Sequence, residues 1–134
     1  MPDPEEPQLP GMLSPDDQAQ IHQLLASVAY VLDAHDYDRL GEVFAPEIRF
    51  DNPGRLTAEG LLSLIEAFKA IATPALSHHI TNVVVTPAGP NEATCVSKAL
   101  TLRQTGVAAA EYRDTVRRCA DGWRISSRTI RPLG

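Results

Sequence analysis

Cysteine, surplus positive charge and long apolar runs are all scarce in this chain, and each scarcity excludes something. Only Cys95 and Cys119 occur, far apart in sequence, and no CxxC or Cys/His metal spacing surrounds them. Neither a disulfide framework nor a structural zinc is therefore expected, and the two read as small core residues in a reducing cytoplasm. No apolar run approaches the roughly 20 residues that cross a bilayer. The N-terminus is acidic and proline-rich where a secretory signal would be basic and then apolar. Twelve Lys and Arg against 17 Asp and Glu give a net charge of −5. That balance argues against nucleic acid or an anionic membrane as the main partner. There is no glycine-rich phosphate loop and no internal repeat. The early acids (Glu5, Glu6, Asp16, Asp17) read as solvated or capping groups and not as a metal site, so neither a cofactor nor a metal is expected.

What is present suits one ordinary domain. The chain has 134 residues, 43% apolar and 22% charged, enough to bury a core unaided. Residues 1–13 read as a flexible tail, with four prolines before Met12. The domain is expected over residues 14–134. Ser14-Pro-Asp-Asp17 is a helix start: a hydroxyl to cap, proline at the first helical position, acids at the positive end of the dipole. Ile21, Leu24, Leu25, Val28 and Leu32 then form one apolar stripe, which carries the helix to Asp33 or Ala34.

The stretch from Tyr30 to Asp51 organises the rest. Asp33 lies one helical step, about 100°, from Leu32 and so at the border of the apolar stripe. A carboxylate there can point into a core-lined cavity. Asp36 reads as the cap of a short second helix with Tyr37, Leu40, Val43 and Phe44 on its buried face; Pro46 is expected to end it. Glu47 to Asn52 alternates as a half-buried strand. Thr57 reads as the cap of a third helix bearing Leu61, Leu64, Ile65, Phe68 and Ile71. Beyond Thr73-Pro74 the period changes to two. Strands are expected at about 77–86, 92–104, 107–118 and 123–131, separated by short turns and hence antiparallel. Helices followed by a run of strands mean α+β, with helices over one face of a curled sheet whose hollow is a natural small-molecule pocket.

Several residues in that hollow could do chemistry. Asp33 could meet an imidazole; strand alternation sends His78 and His79 to opposite faces, so only one can face inward. Such a carboxylate would fix the imidazole tautomer and support its charged form while the ring moves a proton. Tyr112 and Asp114 share one face of their strand. Arg128 is either a pocket group that anchors a substrate or a surface strand cation. Asp114 has Arg128 or Arg113 as cross-strand partner. Tyr30 either turns to the cavity mouth or fills the contact between helices, and the sequence leaves both open. Trp123, after Asp121-Gly122, reads as a hairpin anchor packed in the core.

The order and spacing of Asp33-Ala-His-Asp-Tyr-Asp-Arg-Leu40, Phe44-Ala-Pro-Glu47, Phe50-Asp51, His78-His-Ile-Thr-Asn82, Tyr112-Arg-Asp114 and Gly122-Trp-Arg-Ile-Ser-Ser-Arg128 resemble the SnoaL-like branch of the NTF2-like superfamily. Scytalone dehydratase, bile-acid 7α-dehydratase, hexachlorocyclohexane dehydrochlorinase and the β-subunits of ring-hydroxylating dioxygenases belong to the similar group. The resemblance spans about Ser14 to Pro132. It implies a cone with a curled, mostly antiparallel sheet and three N-terminal helices over its open face. It also implies a catalytic dyad of Asp33 and His78, the latter set by Asn82 four residues on, with Arg128 in the pocket. Tyr112, Asn52, Tyr30 and Asp114 complete the expected substrate-binding set. Two departures stand out. Val107-Ala-Ala-Ala110 replaces the stretch that carries a second histidine in scytalone dehydratase. Leu32 and Asn52 stand where that enzyme has tyrosines. The resemblance thus implies a cofactor-independent lyase or isomerase/cyclase acting on a small apolar oxygenated metabolite and leaves the substrate open; a non-catalytic small-molecule binder or scaffold subunit is the alternative. A cytoplasmic homodimer or homotrimer is expected, because outward β-branched residues such as Val83 and Val85 would otherwise face water.

Overall fold

A computed structural model describes residues 13–134. The first helix, α1 (Pro15–Asp33), starts as its sequence dictates. Ser14 Oγ accepts the backbone N–H of Asp17 at 3.0 Å, while the Asp17 carboxylate accepts the N–H of Ser14. This reciprocal cap satisfies two otherwise orphaned donors. The whole predicted stripe is buried, joined by Ala29 and Val31. Ala34 closes the helix and His35 takes a left-handed conformation at φ 57°, which turns the chain sharply away. The expected tail falls outside the described residues except Leu13, which is buried in the core and not part of any tail.

The second helix is a short 3-10 segment, Tyr37–Glu42, and Asp36 makes no side-chain cap. Pro46 does not end it. Proline lies instead inside β1 (Phe44–Asn52). There the register advances from Phe44 to Arg49 on β1 against Ile125 to Ser127 on its parallel neighbour, so the ladder is broken and a missing N–H costs nothing. A strand absent from the sequence reading, β2 (Leu56–Glu59), pairs back on β1. Thr57 lies within it and donates to Asp51; the next helix, α2 (Leu61–Lys69), is capped by Gly60. A helix cap at Thr57 is therefore wrong. Isolated four-residue strands give too few alternations to be seen as such.

The remaining strands, β3 (Ser77–Pro87), β4 (Glu92–Arg103), β5 (Gly106–Cys119) and β6 (Gly122–Leu133), form an antiparallel meander. The six-stranded sheet runs β2-β1-β6-β5-β4-β3, with only the β1–β6 contact parallel. Helix α1 packs on β3 and β6, α2 on β1 and β2. The protein is thus α+β, with its three helices over a curled open sheet.

Two bulges decide what faces inward. In β3, three steps from Thr81 to Val84 match two on β4, and the extra residue falls where Asn82 adopts φ 55°. One extra residue inverts the alternation. His78 and Ile80 face inward before it, Val83 and Val85 after it. The expectation that Val83 and Val85 point outward is corrected accordingly: Val84 is the exposed one, at 61%. In β6, two steps from Ile125 to Ser127 match one on β5, and Ser126 is the extra residue, its hydroxyl donating to the Thr115 carbonyl. Trp123 and Ile125 are buried before it, Arg128 and Ile130 after it.

Candidate active site

The inward faces enclose a cavity of about 570 Å³ between α1, the 3-10 helix, α2 and the sheet. Its walls are mostly apolar, including Leu32, Phe50, Phe68 and Ile130; polar groups come from Tyr37, Asn52, Arg55, His78, Thr101, Arg103, Tyr112 and Arg128. The volume falls in the range of pockets that enclose small organic molecules.

Asp33 and His78 meet at its edge. Asp33 Oδ1 lies 2.7 Å from His78 Nδ1, and Oδ2 accepts the backbone N–H of His78 at 3.0 Å. Their side chains are 24% and 16% exposed. An acid as the last residue of a helix faces the negative end of the dipole, an unfavourable place for it. Here both oxygens are engaged by the same residue of β3, which offsets that disadvantage and locks the carboxylate's orientation. The pairing makes Nδ1 the donor and leaves Nε2 as the ring nitrogen without a protein partner. His78 lines the cavity and Asp33 stands behind it. His79 is exposed on the other face, where its ring meets the Ser77 hydroxyl.

Arg128 forms part of the floor. Register sets it opposite Asp114 on β5, and the two form a bidentate pair: Nε to Oδ1 at 2.7 Å, Nη2 to Oδ2 at 3.0 Å. Both side chains are buried, at 1% and 0% exposure. The guanidinium also stacks over Tyr112, 4.5 Å from the ring centre, with Phe44 at 5.8 Å. The Asp114 charge and hydrogen bonds outweigh burial and hold Arg128 protonated. Nη1 has no protein partner among the described residues, and it is the edge of the guanidinium that remains for a ligand. Of the two partners open to Asp114, the structure selects Arg128; Arg113 pairs with Glu111.

Tyr112 and Asn52 line the cavity, and Tyr30 does not. It is 80% exposed on the outer side of α1, because it lies two residues, about 200°, from the inward Leu32. Residues that sequence reasoning did not assign to the site include Tyr37, Arg55, Thr101 and Arg103. Burial, with the Asp33 charge second, raises the Tyr37 phenol above its ordinary value, so it stays a neutral donor. Arg103 had a readable signal: Ala93, Cys95, Ser97, Ala99 and Thr101 on β4 alternate inward, and the next member is Arg103. Two atoms of the lining residues, Asn52 Oδ1 and Arg103 Nε, are buried without a hydrogen-bond partner. Among the described residues no cluster of three His, Cys, Asp or Glu side chains could hold a metal, and no helix is long and apolar enough to cross a membrane.

Solved structures with the same architecture are numerous. One is a provisionally assigned scytalone dehydratase from Novosphingobium aromaticivorans, 19% identical, covering 89% of this chain and 85% of its own at a TM-score of 0.75. A second, from the same organism, is a provisionally assigned aromatic ring hydroxylase, 24% identical, covering 89% and 90% at 0.75. A third, from Catenulispora acidiphila, was determined in complex with S-DNPA; it is 22% identical and covers 89% and 95% at 0.73. No curated protein matches the sequence. At these identities the structural likeness shows the NTF2-like fold alone, and the family follows from the sequence itself: residues 14–129 match the SnoaL-like domain, and the chain belongs to the SnoaL-like family.

Proposed function

We propose that the cavity is the active site of a cofactor-independent proton-transfer enzyme, with elimination of water from a small, mostly apolar oxygenated molecule as the reaction. The observation that carries this is the 2.7 Å contact between Asp33 and the Nδ1 side of His78, with the opposite ring nitrogen left to the cavity. His78 Nε2 takes a proton from a carbon next to a carbonyl. The electron pair forms the new double bond, and the C–O bond on the adjacent carbon breaks. The departing hydroxide receives a proton from the imidazolium and leaves as water. Asp33 holds the tautomer and stabilises the imidazolium that forms between the two transfers. The free edge of the Arg128 guanidinium and the neutral Tyr37 phenol are donors for the oxygen on which negative charge develops. Isomerisation or cyclisation would use the same first step.

The test uses a panel of cyclic and aromatic β-hydroxy ketones. Conjugated products are read by absorbance, and α-proton exchange in D2O by NMR. Asp33→Asn and His78→Ala should each lower turnover by about 10²–10⁴-fold, with circular dichroism and melting temperature retained. Unchanged turnover in both variants refutes the dyad. Stabilisation by panel members with no product and no exchange assigns the cavity to binding alone.

A further inference from the structure

Arg55 and Arg103 stand apart from every other arginine in the molecule. The chain has ten arginines and a surplus of acids. Seven are ion-paired with a carboxylate. Arg124 is spread over the backbone carbonyls of Gly41, Asp121 and Trp123. Among the described residues, Arg55 and Arg103 are the arginines whose guanidinium has neither a carboxylate nor a carbonyl partner, and both line the cavity that His78 borders. They arrive from different elements: Arg55 from the turn between β1 and β2, Arg103 from the end of β4. Arg103 Nε is buried without an acceptor. Burial, and after it the charge of Arg55, lower the Arg103 guanidinium from its ordinary value, so the pair as it stands is mutually unfavourable. Two guanidiniums without a counterion thus share a cavity wall in a net-acidic protein.

We propose that the ligand of this cavity is an organic anion, with an apolar body against the aromatic and aliphatic walls and an oxyanion group, carboxylate or phosphate, held between Arg55 and Arg103. Two guanidinium forks match either oxyanion and satisfy the orphaned Nε. The position fits the reading of the cavity as an active site, and it is on that reading that the ligand is also a substrate. His78 stands opposite Thr101 in the β3–β4 register, and Arg103 is two residues beyond Thr101 on the same face, about 7 Å along the strand. The anion therefore anchors one end of a molecule whose other end reaches the imidazole.

The probes are 2-naphthoate, 2-naphthyl phosphate and the neutral 2-naphthamide, with binding measured by calorimetry on the full chain. At least one anion should bind about ten- to a hundredfold more tightly than the amide, and which anion wins distinguishes the two oxyanions. That preference should shrink in Arg55→Gln and in Arg103→Gln and vanish in the double variant. In the unsubstituted protein the anion's affinity, unlike the amide's, should fall as salt rises. The salt arm needs no variant to fold. Equal binding of anions and amide, salt-independent anion binding, or no binding of either anion overturns the proposal. Retention of the preference in His78→Ala separates this inference from the dyad: a failed dyad with an intact anion preference leaves an anion-binding pocket without catalysis.

Discussion

Removing the carboxylate beneath Arg128 tests the energetics of the cavity floor. In Asp114→Asn the guanidinium keeps its charge but loses its counterion. It is 1% exposed, its two hydrogen bonds at 2.7 and 3.0 Å pass to a neutral amide, and no other acid touches it. Breaking one side of a buried pair costs about 3–5 kcal/mol, because the remaining charge stays desolvated. The aromatic faces of Tyr112 and Phe44 recover only part of this, of order 1 kcal/mol. For a chain of this length such a loss lowers the melting temperature by roughly 10–20 °C. In contrast, the double replacement Asp114→Leu with Arg128→Met removes both charges and fills the space with apolar atoms. Its expected cost is within about 1–2 kcal/mol of the parent. The assay is urea unfolding at one fixed protomer concentration, since self-association would shift the midpoint by mass action. The reasoning fails if Asp114→Asn costs less than about 1 kcal/mol, or if the double variant is as unstable as the single one.

Two further outcomes follow from the charges around the core. Hydrogen bonding to Arg118, with Ser14 adding to it, holds the Asp17 carboxyl at about 2, below the 3.8 of a free aspartate. A carboxylate depressed on folding contributes stability that is complete above about pH 4 and is lost as pH falls through about 2; Asp17→Asn should therefore lower the stability read by urea unfolding at pH 7, by of order 1 kcal/mol, and converge on the parent only below about pH 2. Burial, with the Asp114 charge second, pushes the Cys95 thiol up to about 12, so iodoacetamide at pH 8 should modify Cys119 in the folded protein and reach Cys95 only after denaturation, as read by peptide mass spectrometry.

Much of the architecture is legible because it is written in local signals. The Ser14 cap, the apolar stripe of α1 and the short turns between the last four strands each act within a few residues, and all stand in the structure where the pattern puts them. The end of α1 and the start of β3 are likewise local signals, whereas the meeting of Asp33 and His78, 45 residues apart, is implied only by the likeness to a family. What the sequence hides is parity. Strict alternation from the buried Trp123 sends odd-numbered residues of β6 inward and so turns Arg128 to the outside. Only the likeness to a family placed it in the pocket. The structure resolves the conflict with one residue: Ser126 bulges, the count shifts, and Arg128 comes to lie over Tyr112. Asn82 does the same on β3. Asparagine tolerates the left-handed backbone and so at least marks its position, whereas Ser126 carries no comparable mark.

The two bulges bear on function because the inner face they define is the site. A regular sheet of this length would have to choose, strand by strand, between a polar patch at one end and an apolar core at the other. Inserting a residue lets one strand serve both. On β6 the apolar side chains before Ser126 pack the core under α1, and the polar one after it enters the cavity floor. On β3 the order is reversed: His78 lies on the cavity side of Asn82, and Val83 and Val85 pack on the core beyond it. The local twist that accompanies a bulge also curls the sheet, so the irregularities that turn these side chains inward help to open the hollow they line. Arg55 and Arg103 need no such device. They sit at the turn after β1 and the end of β4, where alternation has already delivered Arg103 to the inner face with its Nε buried and Arg55 remains open to water, and a guanidinium, more weakly hydrated than an ammonium, is the less costly cation to hold there for a ligand.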